Sequence, residues 1–250
     1  MPNSSLHISF ARDAASALDH PMLNSYQGSY LLGSTAPDIR NLAGWDRYTT
    51  HFFDLANDEP GKGVEGLFEH HPELAEAAKL GHETRAFVAG YISHLVTDER
   101  WIASVYRPFF GKSSPLADDP MGNVLDRVLQ FHLDRTERDR MEDIDEVLAL
   151  LKEGDIGVRV SFIEPDLLRR WRDVMCERAA QELGWEHLAR FARKALPDHL
   201  KNDGNTMEAI IRSAPSLLEK VRKQVPSQVI STFRGKAIKE FVKIAGEYLG

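Results

Sequence analysis

The chain has 250 residues, 42% of them hydrophobic and 28% charged, which is typical of one globular unit with a sizeable core. Its net charge of −7 argues against a general nucleic-acid-binding protein, which would carry a basic surface. The one cysteine, Cys176, excludes an internal disulfide and a thiolate zinc cluster. The N-terminal residues lack the pattern of a signal peptide, and no apolar run reaches the roughly 20 residues of a membrane span, so we predict a cytoplasmic protein.

Helical periodicity runs through nearly the whole sequence and predicts an all-α fold. Breakers such as Pro37, Pro197 and Pro226 separate the periodic segments. The only strand-like stretch, residues 157–163, is too short and isolated to favour a sheet. The predicted helices cover residues 7–19, 22–33, 46–56, 61–69, 72–80, 82–106, 120–152, 164–183, 185–196, 205–224 and 226–248.

The predicted helix at residues 82–106 carries two ionisable residues, His94 and Asp98, in the middle of an apolar face. At 100° per residue that face also contains Phe87, Tyr91, Trp101, Ile102 and Val105. Because His94 and Asp98 are four residues apart, their side chains point the same way. A buried carboxylate needs a partner, which is either a metal ion or the histidine alone as an ion pair. Glu99 points away from this face and is expected to be solvated.

Three earlier stretches place further candidate ligands. His7 lies on an apolar face of the first helix, and His51 stands among aromatic residues. Asp38 follows Pro37, which holds it on a rigid turn. Taken singly, each of these histidines is more typical of a hydrogen-bonded core residue than of a metal ligand, and Asp38 is equally typical of a helix N-cap.

In order and spacing, these four elements resemble the zinc-dependent phospholipase C family, which is related to fungal single-strand nucleases and to the N-terminal domain of GPI-specific phospholipase D. The family pattern is an early histidine, a Gly-Ser-x-x-Pro-Asp turn, a histidine beside an aromatic residue, and a Gly-x-x-x-His-x-x-x-Asp helix. Its counterparts here are His7, residues 33–38, His51 and residues 90–98. The resemblance covers about residues 5–110 and implies an all-α, multi-helix single domain with a metal site between helices.

The resemblance also implies the roles of these residues. Asp38, His51, His94 and Asp98 would hold a first zinc ion, and Asp98 would bridge to a second ion held in part by His7 and the N-terminal amine. The attacking group would be a metal-bound hydroxide or a water oriented by Asp38, which is the candidate catalytic residue. Closely spaced metal ions lower the pKa of water and stabilise charge on a phosphoryl group.

The ligands of a third ion have weak counterparts in this sequence. The places where the family has another histidine just past Asp98 hold Ile102, Ser104 and Val105. His132 is the nearest analogue of a later His-x-x-x-Glu/Asp ligand pair and is kept as a candidate ligand, although Thr136 stands four residues further on. We therefore expect one or two zinc ions rather than three.

These features predict a metal-dependent hydrolase of the phospholipase C or phosphodiesterase type, with a phosphate-ester small molecule or a phospholipid as substrate and no stable nucleic-acid binding. We expect residues 1–155 to form the metal-site core and residues 156–250 to add helices that pack on the same domain or extend it. The alternative is a non-hydrolytic metal-binding or structural protein descended from this fold, for example in specialised metabolism. The missing later ligands favour that alternative.

Overall fold

The computed structural model describes residues 3–54, 59–117, 119, 121–196 and 203–250, and within them the chain is helical without any strand. The predicted all-α class is thereby confirmed, and residues 157–163 form turns and irregular backbone. The helices are α1 (Ser4–Leu18), α2 (Pro21–Ser25), α3 (Gln27–Gly33), α4 (Arg40–Ala43), α5 (Tyr48–His51), α6 (Lys62–His70), α7 (His82–Trp101), α8 (Arg107–Phe109), α9 (Gly122–Arg140), α10 (Ile144–Lys152), α11 (Pro165–Ala180), α12 (Leu188–Ala192), α13 (Gly204–Gln224) and α14 (Ser227–Leu249). Short 3-10 turns lie at Ala36–Ile39, Pro72–Leu74, Ala77–Lys79, Trp185–His187 and Arg193–Ala195, and a π-helical turn lies at Ile102–Tyr106.

Several predicted helices are shorter than the periodicity suggested. The segment 22–33 is broken at Tyr26, whose backbone leaves the helical region (φ −123°, ψ 41°). The described part of segment 46–56, residues 46–54, contains only α5, because Phe52 adopts a left-handed conformation (φ 58°) directly after it, and residues 55 and 56 lie outside the described part. Residues 72–80 form two 3-10 turns, and the described residues 121–152 of the segment 120–152 contain two helices, α9 and α10.

Helix α7 lies at the centre of the fold, in contact with α1, α3, α6 and α14. It is therefore buried on nearly every side and lacks the solvent-facing stripe expected from its sequence. Ser93 and Thr97 are buried and donate their hydroxyl groups to carbonyl oxygens one turn earlier in the helix. The prediction that Glu99 is solvated is wrong, because its side chain accepts hydrogen bonds from the backbone amides of Gly61 and Gly63.

The backbones of α3 and α7 approach each other closely because two glycines lie at the contact. A Cβ on Gly90 would stand 2.0 Å from the carbonyl oxygen of Tyr30, and a Cβ on Gly33 would stand 2.1 Å from that of Phe87. Only glycine permits this separation. The contact places the end of α3, at Ser34, against the middle of α7.

The C-terminal helices complete the same core. Helix α14 packs on α7 and α1, and Arg100 of α7 forms an ion pair with Glu240 of α14. A second cluster of buried apolar side chains joins α9, α12 and α13. Residues of both predicted segments, 1–155 and 156–250, thus contribute to the larger core, while the division between them stays a prediction. None of the helices in the described part combines the length and apolar character needed to span a bilayer.

Candidate metal centre

Four elements bring five of the predicted site residues together: α1, the turn after α3, α5 and α7. The ligand atoms of His7, His94 and Asp98 all lie within 4.8 Å of one another. Those of Asp38, His51 and His94 form a second group within the same limit. The two groups share His94, so they lie side by side at the centre of the fold.

Hydrogen bonds fix which ring nitrogen of His94 and His51 carries a proton. The Nδ1 atom of His94 donates to the carbonyl oxygen of Ser34 at 2.8 Å, a bond that the close approach of α3 and α7 makes possible. The Nδ1 atom of His51 lies 3.0 Å from the hydroxyl oxygen of Thr50, which itself donates to the carbonyl of Arg47. In its neutral form each ring therefore presents an unprotonated Nε2, and these two atoms lie 3.4 Å apart.

Asp98 is the carboxylate around which the imidazoles gather. It is fully buried, and its Oδ2 atom lies 3.3 Å from His51 Nε2 and 3.6 Å from His94 Nε2. Its Oδ1 atom lies 3.5 Å from Nε2 of His7, whose ring stacks on that of His94 with the centroids 3.8 Å apart.

Some of these buried polar atoms have no hydrogen-bond partner among the described residues. They are both ring nitrogens of His7 and Oδ1 of Asp98. A buried polar atom without a partner loses its hydration and gains nothing in return, at a cost of about 1–3 kcal/mol. A cation beside His7, His94 and Asp98 would satisfy Oδ1 of Asp98 and one ring nitrogen of His7, so the residues fit a metal ion.

The protonation states suit metal ligands as well. Burial, reinforced by the charge of Arg47, lowers the pKa of His51 to about 3, and burial lowers that of His7. Burial alone would raise the pKa of Asp98, but the imidazoles around it, His94 foremost, hold that pKa well below its usual range. Neutral imidazoles and ionised carboxylates are the forms that bind metal ions.

Arg47, which was not a predicted site residue, also reaches this centre. Its Nη2 atom lies 3.3 Å from Oδ2 of Asp98, and its Nη1 atom donates to the carbonyl of Phe53 at 3.2 Å. The guanidinium group also lies over the Phe53 ring, 4.3 Å from its centroid. The one sequence signal for this placement is that Arg47 stands four residues before His51, at the start of α5.

The remaining predicted ligands do not join these groups. The inclusion of His132 is corrected here, because its side chain on α9 faces α13, where Nε2 lies 3.0 Å from Nη2 of Arg222. Ile102 and Val105 are buried apolar residues at the places of the missing family histidine. The N-terminal amine lies outside the described residues.

Comparison with known proteins agrees with this geometry. The family model described as zinc-dependent phospholipase C matches residues 6–99, a segment that contains His7, Asp38, His51, His94 and Asp98. Comparisons with curated proteins and with solved structures found no match. The family match confirms the resemblance to the zinc-dependent phospholipases C that the four sequence motifs predicted.

Proposed function

We propose that this protein is a zinc-dependent hydrolase of phosphate esters, of the phospholipase C or phosphodiesterase type. The observation that carries the proposal is the pair of ligand groups that share His94 inside the segment matching the family. Imidazole nitrogens and carboxylate oxygens are typical zinc ligands.

The proposed ligand set is the one implied by the family resemblance, without His132. Asp38, His51, His94 and Asp98 would hold one ion, and His7 with Asp98 would contribute to a second. No described residue replaces the family's later ligands, so we propose one or two ions rather than three. When bound, zinc supplies a Lewis acid for the phosphoryl group and lowers the pKa of water.

The chain's own groups have separate tasks in this proposal. Asp38 is the one half-buried member of the ligand groups, so it lies on the side that solvent and substrate can approach. The side-chain amide of Asn41 lies 3.3 Å from Oδ1 of Asp38 and helps to orient the carboxylate. The ionised Asp38 would orient the attacking water and accept its proton. The carbonyl of Ser34 fixes the orientation of the His94 ring, and the hydroxyl of Thr50 fixes that of the His51 ring.

The substrate is a phosphate ester, either a small molecule or the headgroup of a phospholipid. Weak affinity for nucleic acid and a cytoplasmic location stay predictions from composition and sequence. Neither is needed for the chemistry proposed here.

Metal analysis and a matched pair of histidine variants test the proposal. Purified protein is expected to contain at least one equivalent of zinc and to cleave bis-p-nitrophenyl phosphate. His94→Ala should lose both, with helicity retained, whereas His187→Ala, which changes a partly exposed histidine paired with Glu186, should keep both. Full activity in protein stripped of metal, or in His94→Ala, would refute the proposal.

A non-hydrolytic descendant is the second candidate function. It is favoured by the ion pair between Arg47 and Asp98, which neutralises the buried carboxylate in part without a metal, and by the missing later ligands. Stoichiometric zinc without turnover of any phosphate ester would indicate a metal-binding protein. Protein without metal and with unchanged stability in chelator would indicate a structural role.

A further inference from the structure

We infer that Glu99 is a positioning residue of the metal centre, because it anchors helix α6 against the backbone that carries His51. The inference rests on the proposed function, since it concerns the place of one proposed zinc ligand. Glu99 itself touches neither zinc nor substrate in this arrangement. It acts through α6 on the position of the His51 imidazole.

Both carboxylate oxygens of Glu99 are bonded to the start of α6. Glu99 directly follows the proposed ligand Asp98 on α7 and is only 3% exposed. Its Oε2 atom accepts the backbone amide of Gly61 at 2.7 Å, and its Oε1 atom accepts that of Gly63. Gly61 is the N-cap of α6 and has no side chain, so Glu99 supplies the acceptor that an N-cap side chain would otherwise provide. A carboxylate suits this place, because the N-terminus of a helix carries partial positive charge.

Helix α6 lies directly on the end of α5, where His51 is located. It packs against both α5 and α7. A Cβ on Gly63 would stand 3.0 Å from the carbonyl oxygen of His51, and a Cβ on Gly66 would stand 2.8 Å from that of Phe52. Phe52 adopts a left-handed conformation (φ 58°), which is unfavourable for a bulky side chain, so its neighbours hold the backbone in this shape.

His51 is therefore held by two consecutive residues of α7. Asp98 lies 3.3 Å from Nε2 of its ring, and Glu99 anchors the helix that contacts its carbonyl group. Gly63 takes part in both contacts, since a Cβ there would also stand 3.0 Å from Oε1 of Glu99. Metal ligands must be held within about 0.5 Å of the productive geometry. A shift of α6 would move His51 relative to Asp98 and weaken metal binding.

Position and charge both predict that Glu99→Gln weakens zinc binding. The substitution removes a negative charge near the metal, and it turns an NH₂ group towards one of the two backbone amides. Gly66→Ala separates the two causes, because its Cβ would displace α6 from the Phe52 carbonyl without changing any charge. Gly122→Ala is the matched control, since its Cβ would also stand 2.8 Å from a carbonyl oxygen, that of Leu116 at the start of α9.

The experiment measures metal binding rather than turnover. Zinc affinity is determined by competition with a chromophoric chelator, and the visible spectrum of the Co²⁺-loaded protein reports on the ligands around the metal. We expect Glu99→Gln and Gly66→Ala each to lower zinc affinity about 10–100-fold, as loss of a supporting partner of a metal ligand does, and to change the Co²⁺ spectrum. Gly122→Ala should unfold at a lower temperature but keep the zinc affinity and the spectrum of the wild type.

The outcomes separate this inference from the proposed function. A loss of zinc affinity in Glu99→Gln, with Gly66→Ala like the wild type, would indicate an effect of charge and overturn the positioning role. Wild-type metal binding in both variants would overturn it too and leave the proposed function standing. Zinc binding without turnover would refute the hydrolase, while the affinities still decide the role of Glu99. A wild type that binds no zinc would refute both. If Glu99→Gln fails to fold, Gly66→Ala and Gly63→Ala decide the question.

Discussion

Gly90 links the packing of the core to the metal centre, and Gly90→Ala should damage both. The added Cβ would stand 2.0 Å from the carbonyl oxygen of Tyr30 and 2.8 Å from the amide nitrogen of Ser34. Both are backbone atoms, so α3 as a whole must move away from α7. Overpacking of a tight core costs about 1–3 kcal/mol, and two backbone clashes place this variant at the upper end. At about 3 kcal/mol the unfolding temperature falls by roughly 6–12 °C for a chain of this size.

The same displacement should weaken metal binding. Moving Ser34 lengthens its 2.8 Å hydrogen bond with Nδ1 of His94, which fixes the orientation of that ring. Loss of such a supporting partner lowers metal affinity by about 10–100-fold. Zinc affinity is measured by competition with a chromophoric chelator, and stability by thermal unfolding in excess chelator, so that the two effects are recorded separately.

Gly235 on α14 provides the matched control. Nothing lies within 4 Å of a Cβ built there, and the residue is in the interior of a helix. Gly235→Ala should therefore stabilise the protein by about 0.5–1 kcal/mol through helix propensity, without a change in zinc affinity. A Gly90→Ala protein as stable as the wild type and with equal zinc affinity would show that the α3–α7 contact does not position the metal centre.

Three further predictions concern charge and metal. Burial raises the pKa of Asp134 to about 7, far above the value of about 3.9 in an unfolded chain, so the folded state holds a proton that the unfolded state releases. Protonated Asp134 contributes on the order of 4 kcal/mol to the free energy of unfolding below about pH 4. This contribution is lost as the pH rises to 7. Asp134→Asn should therefore gain stability relative to the wild type between pH 4 and pH 8 in urea unfolding with chelator present, and parallel pH curves would contradict this. Thr50→Val removes the hydrogen-bond partner of His51 Nδ1 and should lower zinc affinity about 10–100-fold. Thr136→Val removes a hydroxyl group that is hydrogen-bonded within α9, and it should leave zinc affinity unchanged. At a free zinc concentration of 100 times Kd, bound zinc should raise the free energy of unfolding by about 2.7 kcal/mol, and removal of zinc should abolish this gain. An unfolding temperature that does not change when chelator is added would exclude a metal bound by the folded state.

The part of the metal centre that depends on the spacing of residues within one helix could be predicted from the sequence. His94 and Asp98 are neighbours on one helix face whatever surrounds them, because the helix repeat alone sets their direction. The order of the other motifs then indicated His7, Asp38 and His51 through the family resemblance. The all-α class followed from the same periodicity.

Where prediction failed, the cause was the environment rather than the local pattern. An amphipathic reading assumes that one side of a helix meets water, and α7 meets other helices on nearly every side, so Glu99 was wrongly expected to be solvated. Arg47 reaches Asp98 across 51 positions of sequence, a distance over which one chain gives no pairing signal. His132 was retained for its approximate place in the order of motifs, but α9 turns that side chain towards α13.

The buried carboxylates show why residue type could not separate structural acids from metal ligands. Glu99 accepts two backbone amides, Asp126 accepts the indole of Trp101 and the amide of Gln130, and Asp134 accepts the backbone amide of Leu6. Each is satisfied by donors of the protein itself, most of them from distant parts of the chain. Asp98 is equally buried, yet its Oδ1 has no hydrogen-bond donor among the described residues and faces an imidazole that has none either. Asp98 therefore differs from the other buried acids in that one of its oxygen atoms lacks a hydrogen-bond donor, and this difference points to a metal ion. It can be recognised only when the long-range partners of every buried acid are known.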